Sequence, residues 1–271
     1  MTDWASEGDY ENLLLLRNGG AARIVLNRPD ALNAWDSGLG ADLIDAVARV
    51  GADESVRAVE IRGAGRAFSS GADLKAGFDH VDENGFPDLE KALHERYHPV
   101  ILGIRQMPKP VLAAVHGPAV GVSCSLALAC DLVLATESSY FLLSFASIGL
   151  VPDGGASAFI PARTGFGRAA EMAILAERVD GVTAERWGLV NRVVADSEFE
   201  TAADELLFKL AKGATSAYAG AKAQLNASCF PHLEEQLGLE ARLQQGQAGS
   251  PDFREGVTSF LERREPRFGE D

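Results

Sequence analysis

Cysteine is scarce in this chain, and Cys124, Cys130 and Cys229 show neither C-x-x-C spacing nor the regular framework of a disulfide-stapled domain. They read as reduced packing residues, two of them inside an apolar helix-like segment, and point to a cytoplasmic protein. Positive charge is also short. Lys+Arg number 25 against 39 Asp+Glu, a net charge of −14 that argues against a nucleic-acid or anionic-membrane surface. Any phosphate-bearing ligand must therefore meet a local basic patch. No apolar run approaches the roughly 18 residues of a membrane span, and MTDWASEGDYENLLLL carries acids where a signal peptide needs basic residues. Internal repeats and low-complexity linkers are missing as well.

What is present suits a packed core, with 46% hydrophobic residues in a chain of 271. Leu13–Arg17 and Arg23–Leu26 flank Asn18-Gly-Gly, a hairpin signal. Asp36 or Ser37 can cap a helix whose apolar positions Leu39, Leu43, Ile44, Val47 and Val50 keep helical spacing. Val56–Arg62 reads as a strand, Pro87–Met107 as one helix, and Val111–Val115 and Leu132–Ala135 as strands. Beyond Gly155 the pattern is helical: Arg168–Ala176, Thr183–Trp187, Glu198–Lys212, Ala214–Ala227, Leu233–Gln245 and Asp252–Arg264, interrupted by a short apolar piece at Leu189–Val194. Strands interleaved with helices predict an α/β core with parallel pairing, spanning residues 1–200, followed by a helical region over 201–271.

The most informative stretch runs from Lys109 to Ala156. An apolar run, Val111 to Val115, stops at Gly117-Pro118 and restarts after Gly121 as a helix-like segment ending near Cys130. A strand feeding a glycine turn into a helix leaves free N–H groups that can hold a negatively charged oxygen. Gly63-Ala-Gly-Arg-Ala-Phe-Ser-Ser-Gly-Ala-Asp-Leu74 supplies a second small-residue turn, and Ile148-Gly-Leu-Val-Pro-Asp-Gly-Gly155 sets a carboxylate between a proline and two glycines. Two N–H donors and one carboxylate meet the minimum needs of enolate chemistry.

These words, with Leu26-Asn-Arg-Pro-Asp-Ala-Leu-Asn33, Gly188-Leu-Val-Asn-Arg-Val-Val194 and Asp252-Phe-Arg-Glu-Gly-Val257, occur in the order seen in the enoyl-CoA hydratase/isomerase (crotonase) superfamily, which the chain resembles from about residue 10 to residue 268. The resemblance implies a ClpP/crotonase-like spiral of ββα units with a helical C-terminal extension that builds a homotrimer or a dimer of trimers. It implies an acyl-CoA thioester substrate, coenzyme A being part of that substrate and no further cofactor or metal being required. The oxyanion-hole N–H groups then fall on Ala72 and Val122, whose bulk replaces the glycine of many members. CoA contacts fall on Arg28, Ala31, Ser70 and Lys75, with Arg264 and Arg267 as further charges. The two glutamates of the hydratases map onto Ser125 and Phe145, which cannot move protons as carboxylates do, so Asp153 is left as the acid/base of an isomerase. The alternatives are a hydratase of fatty-acid β-oxidation with displaced catalytic groups and a non-catalytic acyl-CoA-binding protein.

Three other motifs compete less well. His94-Glu-Arg-Tyr-His98 fits the zinc-peptidase pattern H-E-x-x-H, but Pro99 follows at once. Gly165-Phe-Gly-Arg-Ala-Ala170 resembles a dinucleotide fingerprint, yet Pro161 spoils the strand that should precede it. Ser123 lies in G-V-S-C-S rather than the G-x-S-x-G of a nucleophile elbow.

Overall fold

The computed structural model describes residues 4–269. A seven-stranded sheet runs in the order β1 (Ala5–Ser6), β2 (Leu13–Asn18), β3 (Ala21–Leu26), β4 (Ala58–Gly63), β5 (Val111–Val115), β7 (Leu132–Thr136) and β10 (Arg192–Val194). A smaller sheet joins β6 (Pro118–Val120), β8 (Tyr140–Leu142) and β9 (Val179–Asp180). The hairpin forms where the glycines foretell it: β2 and β3 pair antiparallel from Leu13 opposite Leu26 to Asn18 opposite Ala21, and Gly19 takes φ +53°. From β3 onward the large sheet is parallel, as expected of strands separated by helices.

The connecting helices are α1 (Ser37–Ala52), α2 (Leu89–Ala92), α3 (His98–Gln106), α4 (Val122–Ala129), α5 (Ala156–Thr164), α6 (Phe166–Leu175) and α7 (Gly181–Trp187). The last part of the chain adds α8 (Phe199–Lys212), α9 (Thr215–Cys229), α10 (Leu233–Gln247) and α11 (Pro251–Glu262). Asp36 caps α1, its carboxylate accepting from the Leu39 N–H at 2.8 Å. The single helix expected over Pro87–Met107 is instead α2, a π-helical segment Leu93–Tyr97, and α3. Pro99 has no N–H for the helical ladder, so the hydrogen bonds change register before it. Helix α5 and the three strands of the smaller sheet escape sequence periodicity because they are short, and α5 contains Pro161.

Strand alternation divides the core into two faces. Ala22, Ile24, Leu26, Val59, Ile61, Ala113 and Val115 pack with α1, α3 and α4, through residues such as Leu39, Leu43, Ile101, Ile104 and Leu126. Ala21, Ala58, Leu112, Ala114 and Leu134 face the other way, onto Phe199, Ala203 and Leu207 of α8. Each of those large side chains contributes about 1.5–3 kcal/mol by leaving water. On this second face Glu60, wholly buried, meets the Arg23 Nε at 2.8 Å and also Arg62, and the two arginines reach Asp204 and Glu200 of α8 at 2.6 Å each. That network holds α8 in register against the sheet, since a buried charge stripped of its partner is strongly destabilising. Among the described residues no helix is long and apolar enough to cross a membrane. Cys124 and Cys130 are buried free thiols pushed up to about 12 by burial, and Cys229 is exposed.

Candidate active site

The two small-residue turns meet. Residues 68–73 thread between two neighbouring segments: Phe68 and Ser69 donate to the carbonyls of His116 and Pro118, while Ser70 donates to Leu32 and Trp35 donates to Gly71. Ser69 stands opposite Ala119 in parallel register, and the same offset sets Ala72 beside Val122. The approach is close enough to require glycine at Gly71, where φ is +89° and a Cβ would lie 2.7 Å from the Val120 carbonyl oxygen. Val122 is the first residue of α4 and Gly121 its N-cap. Neither the Ala72 N–H nor the Val122 N–H donates to any acceptor among the described residues. Two idle donors therefore stand side by side, one at a helix N-terminus, an arrangement suited to a developing oxyanion.

Buried hydroxyls fix that geometry. Ser69 Oγ donates to the Asn33 carbonyl at 2.6 Å, and Ser123 Oγ, also 2.6 Å away, is left to donate to Ser69 Oγ. Ser123 is thus a fully buried strut rather than a nucleophile.

The third loop brings the carboxylate. Gly154 and Gly155 adopt φ +65° and +87°, and a Cβ on Gly154 would lie 2.9 Å from Ser125 Cβ and 3.4 Å from Val122 Cγ2. Ser125 Oγ donates to the Asp153 backbone carbonyl at 2.7 Å, so this turn is bound to α4 just beyond the Val122 donor. Phe145 is buried, with its ring edge 3.8 Å from where a Cβ on Gly121 would stand. Ser125 and Phe145, the positions matched to the hydratase glutamates, thus serve as a hydroxyl clamp on the Asp153 turn and as an apolar wall beside Gly121.

Asp153 itself is only 5% exposed. Its Oδ2 accepts from Gln244 Nε2 at 3.0 Å, and its Oδ1 is buried without a partner among the described residues. Burial holds this carboxyl well above the usual range, the negative charge of Glu240 adds to the rise, and the Gln244 hydrogen bond opposes it. A base needs such an environment if it is to work near neutral pH. Facing it is Tyr97, pushed up to about 12 by burial first and by Asp153 in addition, and tilted 5.2 Å from the ring of Trp35. The Trp35 indole N–H has no acceptor among the described residues.

The positions matched to CoA contacts are also gathered, but not all are free. Ala31 and Ser70 adjoin, the Ser70 hydroxyl lying 3.5 Å from the Ala31 carbonyl. Lys75 is exposed just beyond Ala72. Arg28, in contrast, is held by Asp36 at 2.8 Å and Asp73 at 3.1 Å and also donates to the Ala34 carbonyl. Its guanidinium ties the Asn33–Asp36 strip to the end of the Ala72 turn, a role that its match to a phosphate contact does not convey. Arg264 is likewise engaged by Glu255 at 2.8 Å and Glu262 at 2.7 Å, and the Arg267 backbone N–H donates to Glu255.

The other motifs take structural roles. His98 is buried and pushed down to about 4 by desolvation, while His94 is half exposed and meets it edge to face at 4.9 Å. No cluster of three metal-ligating side chains exists among the described residues. Gly165 starts α6. Cavities of about 490 Å³ beside Arg62 and His116 and about 310 Å³ beside His80 and Arg96 are lined by none of Ala72, Val122 and Asp153.

Comparison with known proteins agrees with that class of site. The sequence profile of the enoyl-CoA hydratase/isomerase family matches residues 17–271. A probable enoyl-CoA hydratase of Rhodobacter capsulatus is 41% identical over 92% of this chain and 94% of its own length. The 1,2-epoxyphenylacetyl-CoA isomerase of Escherichia coli is 35% identical over 92% of this chain and 95% of its own. The crystal structure of an enoyl-CoA hydratase from Mycobacterium avium subsp. paratuberculosis matches with a TM-score of 0.88 at 38% identity, covering 97% of this chain and all of that one. The architecture is the crotonase fold, that of enzymes that process acyl-CoA thioesters. The chain belongs to the enoyl-CoA hydratase/isomerase family. Hydratase and isomerase names both occur among its relatives, so the choice of reaction rests on the residues of the site.

The sequence singled out Asp153, Ala72 and Val122 as candidates, and the structure sets Tyr97, Glu240 and Gln244 near Asp153 and Trp35 beside Tyr97, none of which the sequence had marked. Glu240 and Gln244 carry no motif and show only as polar positions one turn apart on a helix; what they touch lies more than eighty residues upstream.

Proposed function

We propose that this protein is an enoyl-CoA isomerase. The observation that carries the reading is a buried carboxylate with one unpartnered oxygen, Asp153, on a turn bound to α4 just beyond the unpartnered Val122 N–H, while Ser125 and Phe145 occupy the positions matched to the hydratase glutamates. The Asp153 carboxylate takes a proton from the α-carbon of a 3-enoyl-CoA, breaking that C–H bond and sending its electrons to the thioester oxygen. The N–H groups of Ala72 and Val122 stabilise the resulting dienolate. Asp153 then returns the proton to the γ-carbon, leaving the conjugated 2-enoyl-CoA. The sequence is redox-neutral and calls on no group beyond the CoA thioester. The reading is supported by the 1,2-epoxyphenylacetyl-CoA isomerase among the relatives.

A hydratase is the second reading, favoured by the name of the 41% identical relative. Glu240 is a second buried carboxylate near Asp153, but it is occupied by the N–H groups of Gly155 at 2.8 Å and Ser157 at 3.1 Å and by the Ser157 hydroxyl. With product identification, wild-type protein should convert a 3-enoyl-CoA to the 2-enoyl-CoA much faster than it hydrates the latter. Rapid hydration of crotonyl-CoA would establish the hydratase instead, and tight binding without turnover of either would establish a binding protein.

We further propose assembly through the helical region as a homotrimer or a dimer of trimers. Phe166, Ile174 and Leu175 of α6, Leu225 of α9 and Leu239 and Leu243 of α10 are apolar and exposed, more than a monomer needs to leave in water. Light scattering should report a multiple of three times 28.8 kDa, and a clean monomer would refute this assembly.

A further inference from the structure

Glu240 and Gln244 of helix α10 lie more than eighty residues beyond the loop residues they contact, yet they grip that loop at two points one helical turn apart. Glu240 accepts from the Gly155 N–H at 2.8 Å, the Ser157 N–H at 3.1 Å and the Ser157 hydroxyl, fixing the loop where it becomes α5. Gln244 sends one N–H of Nε2 to the Val151 carbonyl and the other to Asp153 Oδ2 at 3.0 Å. The amide cannot turn over. The Val151 carbonyl can only accept, so reversing the amide would set two carbonyl oxygens against each other in a buried site. Gln244 is itself 1% exposed, and its Oε1 has no partner among the described residues.

We infer that Gln244 and Glu240 are positioning residues for the Asp153 base: Gln244 permanently occupies Oδ2 and so designates Oδ1 as the oxygen that takes up and returns the substrate proton, while Glu240 locks the turn that aims it. The inference rests on Asp153 being the base. It makes the C-terminal helical region part of the catalytic apparatus rather than only a scaffold, since the reactive atom is selected from α10.

The titratable groups facing Asp153 are Glu240 on α10 and Tyr97 at the end of the π-helical segment, and α4 presents Ser125 and Val122, which do not titrate. Tyr97 stays protonated across the working range, being pushed up to about 12. The two positioning residues act on Asp153 with opposite sign. The Gln244 hydrogen bond favours the carboxylate, and the Glu240 charge disfavours it.

That opposition gives a test that a merely structural role does not satisfy. Passage of the α-hydrogen of a 3-enoyl-CoA to the γ-carbon, followed by NMR with α-deuterated substrate across pH, reads this hydrogen exchange between the two carbons directly. Gln244→Met, close in length but without N–H groups, should lower the exchange rate at neutral pH roughly tenfold to a hundredfold, the worth of a hydrogen bond to a charged group. Its activity should also rise with pH later than wild type. Glu240→Gln should shift the same rise to lower pH. Binding of a saturated acyl-CoA should stay within about threefold in both, and Gln244→Met should add nothing further in an Asp153→Asn background. Shifts in the same direction, or profiles unchanged from wild type while Asp153→Asn is inactive, would overturn this inference alone. Undiminished exchange in Asp153→Asn would instead overturn the reading of Asp153 as the base. If Gln244→Met does not fold, the direction of the Glu240→Gln shift still decides.

Discussion

Replacing Asp153 by Asn should abolish double-bond migration while leaving acyl-CoA binding within about tenfold, because the amide keeps the size of the side chain but cannot hold a proton between two carbons. Loss of a proton-transfer group lowers the rate on the order of a hundredfold or more. Stability should move the other way. The carboxyl of Asp153 is raised in the folded protein, chiefly by burial, so the folded state binds its proton more tightly than the unfolded chain. Its contribution to stability is therefore present in full below the unfolded pKa and lost as pH rises through the folded value. Above its folded pKa wild type carries a buried carboxylate that the mutant lacks. Across an alkaline pH series Asp153→Asn should then gain on wild type in melting temperature, with wild type gaining on it as the pH falls. A mutant that isomerises at an unimpaired rate would remove Asp153 from the mechanism. One that loses ground to wild type in melting temperature as the pH rises would show that the carboxylate is structural.

The second large effect concerns an atom rather than a side chain. Val122→Pro should delete one of the two oxyanion donors and spare the helix, because proline is well accepted in the first turn, where the missing N–H has no helical partner. Removal of such a donor lowers kcat by about 10²–10³. The loss should appear in kcat with little change in the binding of a saturated acyl-CoA, whose carbonyl carries no developing charge. Val122→Ala, which keeps the N–H, should retain most of the activity. If proline at this position turns over substrate at the wild-type rate, Val122 does not contribute to the oxyanion hole.

The two outcomes draw on different parts of the chain. The turn into α4 was legible from local signals, an apolar run, Gly121 and a helix start, whereas the match of Val122 to an oxyanion donor came from the family resemblance. Asp153 was visible as a carboxylate between a proline and two glycines, a setting that forces a fixed conformation. The hairpin at Asn18-Gly19-Gly20 and the α1 cap at Asp36 were legible for the same reason, since turn and cap chemistry acts over three or four residues. Arg28 shows where such reading stops. Its match suggested a phosphate contact, whereas Asp36 and Asp73 hold it in the fold, one eight and the other forty-five residues away.

What the sequence determined by itself is whatever short-range physics and ordered motifs encode: the parallel α/β core, the family, the two small-residue turns and a carboxylate set between a proline and two glycines. Tertiary structure alone decided how those pieces act on one another. It set Ala72 beside Val122 through the pairing of Ser69 with Ala119, turned Ser125 into a clamp on the Asp153 turn, and brought Trp35 and Tyr97 together. It also carried Glu240 and Gln244 from the far end of the chain onto the loop at residues 151–157. The physical reason is range. Hydrogen bonds and burial act over a few ångströms in space, and residues tens of positions apart leave no periodic trace of meeting, so only the folded chain shows which buried oxygen is occupied and which is free to take a proton.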